Sequence, residues 1–448
     1  MRLRGTMEIG SQGHLFIGGC DTVDLAHRYG TPLYVIDEEQ LRARCRRYRE
    51  AFARADNAEV IYAGKAFLTT AICRIIEEEG LSLDVASGGE LHTALRAGFP
   101  PSRIYFHGNN KSPSEIRMAL EAGIHRFMVD NLYELELISR ATRAAGRKAH
   151  ICLRLTPGIE AHTHKYIMTG QIDSKFGLPI ETGQALEGVR QALASPGVEL
   201  HGLHCHIGSQ IFETAPFAAA ARALLEFAHA AYRATGWVPE EINLGGGLGV
   251  YYAEGDAPPS IEDYANTLIE AVSKTASEVG MKVPRILVEP GRSIVSPAGT
   301  TLYTVGAVKE IRGVRTYVTV DGGMGDNLRP ALYQARYEAA IANKMHDLPA
   351  CVVTIAGKYC ESGDILVWNA GLPVPEPGDL IAIPCTGAYN YAMAMNYNRF
   401  PRPAVITVYR GRPDVIVMRE SYEDLIRNDI IPPRLQREEA RWHATRLR

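Results

Sequence analysis

Eight times between residues 59 and 291, an apolar run of strand length ends in glycine, proline or a polar side chain. The runs are EVIYAGK (59–65), LSLDVAS (81–87), RIYFHG (103–108), RFMVD (126–130), HICLRLTPG (150–158), ELHGLHCHIGS (199–209), EINLGGG (241–247) and RILVEPG (285–291). Such runs, bounded by turn residues, predict strands buried on both faces. Between them the pattern becomes helical, as in TTAICRIIEEEG and GELHTALRAG, each closing in a glycine that suits a helix C-terminus. Longer helical stretches fill 180–195, 213–235 and 260–279. Strands alternating with helices predict parallel β/α units, and eight such units can close as a barrel.

After about residue 300 the pattern changes. RTYVTVD, CVVTIAG, DLIAIPC, AVITVYR and DVIVMRE follow one another with Gly/Pro turns and few helices between, which predicts an antiparallel β domain. HLFIGG and TPLYVI, near the N-terminus, are short strand-like pieces able to join it. The expected fold class is therefore α/β: a (β/α)8 barrel over 34–300, with a separate antiparallel β domain made of 1–33 and 301–448. The tail RLQREEARWHATRLR is expected to form a solvated helix.

Composition narrows the function. At 46% hydrophobic and 22% charged the chain is ordinary for a soluble protein, and its net charge of -3 gives no bulk attraction to nucleic acid or anionic lipid. No apolar run approaches the roughly 20 residues of a membrane helix. The start, MRLRGTMEIG, lacks the apolar core of a secretory signal. Eight scattered cysteines without a C-x-x-C pair suit reduced thiols in the cytoplasm.

In a β/α barrel the reacting groups gather at the C-terminal strand ends. Here these ends offer Lys65, Asp84, His107, Arg154, His206 with Ser209, the glycines 245–247, and Glu289 with Gly291 and Arg292. Lys65 interrupts the apolar run VIYAGKAFL. It either snorkels to water or is a buried amine with a lowered pKa, a nucleophile for a carbonyl cofactor. Barrels commonly bind phosphate in the loops after strands seven and eight. Those loops carry Gly245, Gly246 and Gly247, whose backbone N–H groups can cradle phosphate oxygens, and Arg292, which adds charge. A phosphate opposite a strand-end lysine points to pyridoxal 5′-phosphate on Lys65, with Glu289 placed to keep the ring nitrogen protonated. The rival is a metal-dependent hydrolase using His201, His204, His206, His162 and His164, but no second conspicuous His or acidic pair appears at the earlier strand ends.

YAGKA, LDVASGGEL, HIGSQ, LGGGLG, VEPGR, LRPALY, CESGD and GAY occur in this order along the chain, together with AHTHKYIMTGQIDSKFGL. These segments resemble the diaminopimelate decarboxylases, pyridoxal-phosphate enzymes of the alanine-racemase-like fold, over nearly the whole length. One local departure is Phe67, where many members have Asn. The resemblance implies a homodimer with active sites shared across the interface. Lys65 would bond the cofactor, His206 stack on its ring and Glu289 pair with the pyridine nitrogen. Ser209, Gly245, Gly246, Gly247, Gly291, Arg292 and Tyr389 would surround the phosphate. Arg292, Arg329, Tyr333, Glu361 and Tyr389 would hold substrate, with Cys360 as general acid; Cys360 and Glu361 would come from the other subunit. Cys385, four residues before Tyr389, is a second thiol that could lie near the site.

The expected substrate is meso-2,6-diaminopimelate, whose far end carries both a carboxylate and an ammonium. Arg329 with Tyr333 suits the former and Glu361 the latter. The alternatives are a same-fold decarboxylase of ornithine, lysine or arginine, and a non-catalytic cofactor-binding homologue. A racemase is disfavoured, since the resemblance implies that racemases place arginine where Glu289 stands.

Overall fold

The computed structural model describes residues 1–55, 57–159 and 173–436. The expected tail helix lies largely outside them, as do His162 and His164. Strand β1 (Leu33–Asp37) straddles the expected boundary at 34 and pairs with two strands from the far end of the chain. Helix α1 (Glu38–Phe52) then leads into the barrel, capped by Asp37, whose side chain accepts from the Gln40 N–H.

The barrel strands are β2 (Ala58–Ala63), β3 (Ser82–Val85), β4 (Ile104–Phe106), β5 (Arg126–Val129), β6 (Ala149–Thr156), β7 (Val198–His204), β8 (Glu241–Asn243) and β9 (Arg285–Val288). Every neighbouring pair is parallel, and β9 pairs with β2 to close the ring. Between them run α2 (Thr70–Glu78), α3 (Gly88–Arg96), α4 (Pro113–Ala122), α5 (Leu132–Ala145), α6 (Gln184–Ala194), α7 (Ala215–Thr235) and α8 (Ile261–Glu278). Local chemistry sets where these helices begin. Thr69, Ser87 and Asn131 accept N–H groups of the first turn, and Ser112 with Glu115 forms a reciprocal capping box behind Pro113.

Inside the ring Ile61, Tyr105, Met128, Cys152 and Leu287 form one fully buried cluster. Towards the N-terminal strand ends the filling turns ionic, with Arg126 on Glu241 at 2.8 Å and Arg285 on Glu59 at 2.5 Å. The interior is thus packed rather than hollow.

The second sheet contains β10 (Gly299–Ile311), β11 (Arg315–Val320), β12 (Cys351–Ala356), β13 (Ile365–Leu372), β14 (Leu380–Pro384), β15 (Ala404–Tyr409) and β16 (Arg412–Val417). Its order is β13-β12-β11-β10-β1-β15-β16, with β14 also on β10. Most pairs are antiparallel as expected, but β11 with β12 and β1 with β15 are parallel. A parallel pair needs a long crossover rather than a hairpin. The crossover from β11 to β12, residues 321–350, contains the short helix Arg329–Tyr333, which brings two expected substrate residues to the barrel mouth. Among the described residues no helix is long and apolar enough to cross a membrane.

Candidate active site

A cavity of about 400 Å³ opens at the C-terminal end of the barrel, where it meets the β domain. Of the expected site residues, Lys65, His206, Ser209, Gly246, Gly247, Glu289, Gly291, Arg292, Arg329, Tyr333 and Tyr389 line it. Gly245, Cys360 and Glu361 do not.

Lys65 sits on a single 3-10 turn, Gly64–Ala66, directly after β2. It differs from the buried amine expected for a nucleophile, because its side chain is exposed at the cavity. The turn itself is fixed. The Ala63 N–H donates to the Pro290 carbonyl at 3.1 Å, and the Tyr389 N–H of the β domain donates to the Ala66 carbonyl at 2.8 Å. Both domains therefore position the lysine.

Across the cavity Glu289 is buried at the end of β9. His107 Nε2 lies 2.7 Å from Oε1, Asn243 Nδ2 donates to Oε1 at 2.7 Å, and His204 Nε2 lies 3.2 Å from Oε2. Burial alone raises a carboxyl pKa. Here the neighbouring His107 and His204 outweigh it and hold Glu289 well below the usual carboxylate range. The acid is thus ionised, ready to hold a proton on a ring nitrogen. Burial pushes His204 down to about 4, so it stands as a neutral imidazole and donates Nε2–H. His204, which the sequence singles out only for the rival metal reading, is a partner of Glu289. Asn243, the last residue of β8 and two before Gly245, has no signal in the sequence beyond its place at a strand end.

His206 follows β7 and is held well below its ordinary pKa by burial, then by Lys65 and Arg154. A neutral imidazole on the cavity wall suits stacking against an aromatic ring. Asp84, at the end of β3, is raised by burial although His107 opposes it, and its Oδ1 has no hydrogen-bond partner.

The anion-binding end is built around Arg292. Its Nε and Nη2 donate to Ser209 Oγ at 3.1 and 2.9 Å, its Nη1 to Tyr252 Oη at 2.7 Å, and its guanidinium lies 4.7 Å from the Tyr389 ring centre. Opposite, the glycines pack backbone on backbone: a Cβ on Gly246 would strike the Glu289 carbonyl, and one on Gly247 (φ +126°) would come within 2.5 Å of the Gly208 carbonyl. Only glycine lets this loop lie so close. Gly245 lies behind the wall, its carbonyl accepting the Glu289 N–H at 2.8 Å.

Arg329 is buried and aimed at the same cavity. Its Nη1 donates to Tyr337 Oη at 2.6 Å and its guanidinium stacks 4.5 Å from the Tyr252 ring, yet its Nε has no partner. Cys385 is fully buried behind the wall, with its Sγ against the Tyr251 carbonyl and Ser296, and burial raises its pKa. It does not reach the cavity. Cys360 and Glu361 lie on an exposed turn, where the Cys360 N–H donates to Asn398 Oδ1 at 2.9 Å.

A strand-end amine, an ionised acid opposite it, a neutral imidazole on the wall and an arginine–serine–glycine anion site fit pyridoxal 5′-phosphate. The unsatisfied Asp84 and Arg329 atoms fit a polar ligand beside it. Comparison with known proteins agrees. Residues 38–296 match the pyridoxal binding domain of the pyridoxal-dependent decarboxylases. The chain is 52% identical over 431 residues to the diaminopimelate decarboxylase of Bacillus subtilis, covering 96% of this chain and 98% of that one. It is equally similar to the corresponding enzyme of Halalkalibacterium halodurans, with the same coverage. The crystal structure of diaminopimelate decarboxylase from M. jannaschii in complex with L-lysine superposes with a TM-score of 0.90 at 38% identity, over 96% of this chain and 99% of that one. The chain belongs to the diaminopimelate decarboxylase family of pyridoxal-dependent decarboxylases.

Proposed function

We propose that this chain decarboxylates meso-2,6-diaminopimelate to L-lysine as a homodimer, with Cys360 and Glu361 of each subunit completing the site of the other. The observation that carries the substrate is Arg329, a buried guanidinium at the cavity with an unpartnered Nε. Ornithine and lysine present only an amine at their far end and would leave that charge unpaired, which is costly in a buried site.

Bound pyridoxal phosphate supplies an aldehyde that condenses with amines and a ring that takes up the electron pair released as the carboxylate leaves. Lys65 would supply the amine that bonds the cofactor, while Arg292, Ser209 and the glycine loop would hold its phosphate and Glu289 would keep the ring nitrogen protonated. Arg329, with Tyr333, takes the distal carboxylate, and Glu361 takes the distal ammonium. Cys360 returns a proton to the α-carbon. On its own chain Cys360 is exposed and does not line the cavity, which supports its serving the site of a second subunit. All eight cysteines are free, in keeping with a reducing cytoplasm.

The test is product analysis of purified holoenzyme given meso-diaminopimelate, L-lysine and L-ornithine separately. Lysine from diaminopimelate, without cadaverine or putrescine from the others, supports the reading. Diamine products would overturn the specificity but keep the cofactor. Cys360→Ala is expected to lower kcat by roughly 10²- to 10⁴-fold, the usual scale for a general acid. The cofactor dissociation constant should hardly move. Full turnover in that variant would remove Cys360 from the reaction.

A further inference from the structure

At the opposite end of the barrel, two neighbouring strands present a second cluster of ligating side chains. His150 lies near the start of β6, and Glu199 and His201 near the start of β7, with Glu199 directly beside His150 in the sheet. The register slips between Leu200 and Gly202. This β-bulge makes His201 the extra residue and turns its ring towards His150. His150 is four residues from Arg154 at the cavity wall, about 13 Å along an extended strand, so the cluster is separate from the cofactor site.

Three ligand atoms converge. His150 Nδ1 and His201 Nε2 are 2.9 Å apart, Glu199 Oε2 is 3.1 Å from the first, and 3.8 Å separates it from the second. Ligands about 2.0–2.1 Å from a tetrahedral zinc ion stand about 3.3 Å from one another, and the edges of this triangle, 2.9 to 3.8 Å, bracket that distance. We propose that His150, Glu199 and His201 form a binding site for a divalent transition metal of the zinc class, with the remaining position open to water.

The surrounding groups prepare these atoms. Glu240 Oε2 lies 2.8 Å from His201 Nδ1, so that nitrogen carries the proton and Nε2 presents its lone pair. A carboxylate behind a ligating imidazole is the usual outer support of a metal site. The His150 ring meets the lone pair with Nδ1–H, and metal entry requires that this proton move to Nε2 and that the two rings turn so that both lone pairs meet at the ion. Lys148 binds Glu199 Oε1 at 2.6 Å and leaves Oε2 to the metal. Its positive charge opposes a cation, while Glu199 and Glu240 together outweigh it. His150 and Glu199 are 41% and 37% exposed, so an ion can enter from solvent.

Untagged holoenzyme, equilibrated with Zn²⁺ and then passed through metal-free buffer, is expected to retain one zinc per chain by elemental analysis. Bound Co²⁺ should show visible d–d bands of N/O ligation. His150→Ala and His201→Ala should each lose that equivalent while keeping the cofactor absorbance, which certifies the fold and the distant site. Glu240→Gln should weaken zinc about 10- to 100-fold. Retention of the zinc by both histidine variants would place it elsewhere, for instance on His107, His204 and Glu289, and overturn the proposal. No retained zinc in the unaltered protein would overturn it equally.

Discussion

Replacing Lys65 with alanine is expected to cut kcat roughly 1,000-fold or more, since covalent capture of the cofactor and proton transfer at the reacting carbon both need a positioned amine. The substitution is clean. The side chain lies in the cavity, whereas the turn beneath it is held by backbone bonds from Ala63 to Pro290 and from Tyr389 to Ala66. Arg292 with Ser209, the glycine loop and Glu289 remain, so the variant should still bind pyridoxal phosphate, but dialysis should remove it. Borohydride should fix the cofactor on Lys65 of the unaltered protein and on nothing in the variant. The proposed sharing of the site between subunits gives a sharper readout. Mixing equal amounts of Lys65→Ala and Cys360→Ala subunits makes about half the dimers mixed, each with one intact site, and activity should reappear at about one quarter of the unaltered level. Turnover close to the unaltered rate in Lys65→Ala alone would remove the lysine from catalysis. Failure of complementation between two folded, dimeric variants would remove the shared site.

How much of this was legible in the chain follows from where its determinants lie. The barrel strands were readable because a strand buried on both faces is a bare apolar run with turn residues at its ends. Strand β10 was not, because GTTLYTVGAVKEI begins buried and ends exposed and matches neither a core strand nor a simple alternation. β13, ILVWNAGL, likewise mixes buried and exposed positions. The parallel pairs of the second sheet depend on which distant segment lies beside which, and no local pattern encodes that. The site divides in the same way. Lys65, His206, Glu289 and the glycines stand at strand ends, where position alone suggests chemistry. Arg329 and Tyr333 were reached only through resemblance, because a crossover carries them in from another domain. The contacts of Asn243 and His204 with Glu289 arise from the neighbouring strand and the next one round the barrel, and are visible only once the ring is closed.

Arg329→Ala is the second large effect. Removing one partner of a desolvated, hydrogen-bonded charge pair costs about 2–5 kcal/mol, which corresponds to a roughly 30- to 4,000-fold fall in kcat/KM for diaminopimelate. The loss should be specific, because the proposed role of Arg329 is at the far end of the substrate and not at the bond that breaks. Its own supports are few and survive its removal: Tyr337 Oη accepts one N–H, and the Tyr252 ring stacks beneath the guanidinium. Tyr252 also accepts from Arg292, so the phosphate end should stay in place and the bound-cofactor spectrum unchanged. Arg329→Lys should recover only part of the loss, since a point charge lacks the planar fork that grips a carboxylate through two bonds. The variant's relative preference for L-lysine over diaminopimelate should rise, because the buried charge that disfavours a lone distal amine is gone. An intact kcat/KM for diaminopimelate would refute the specificity reading. An equal loss on every substrate, with altered cofactor absorbance, would instead make Arg329 a structural support of the cavity wall.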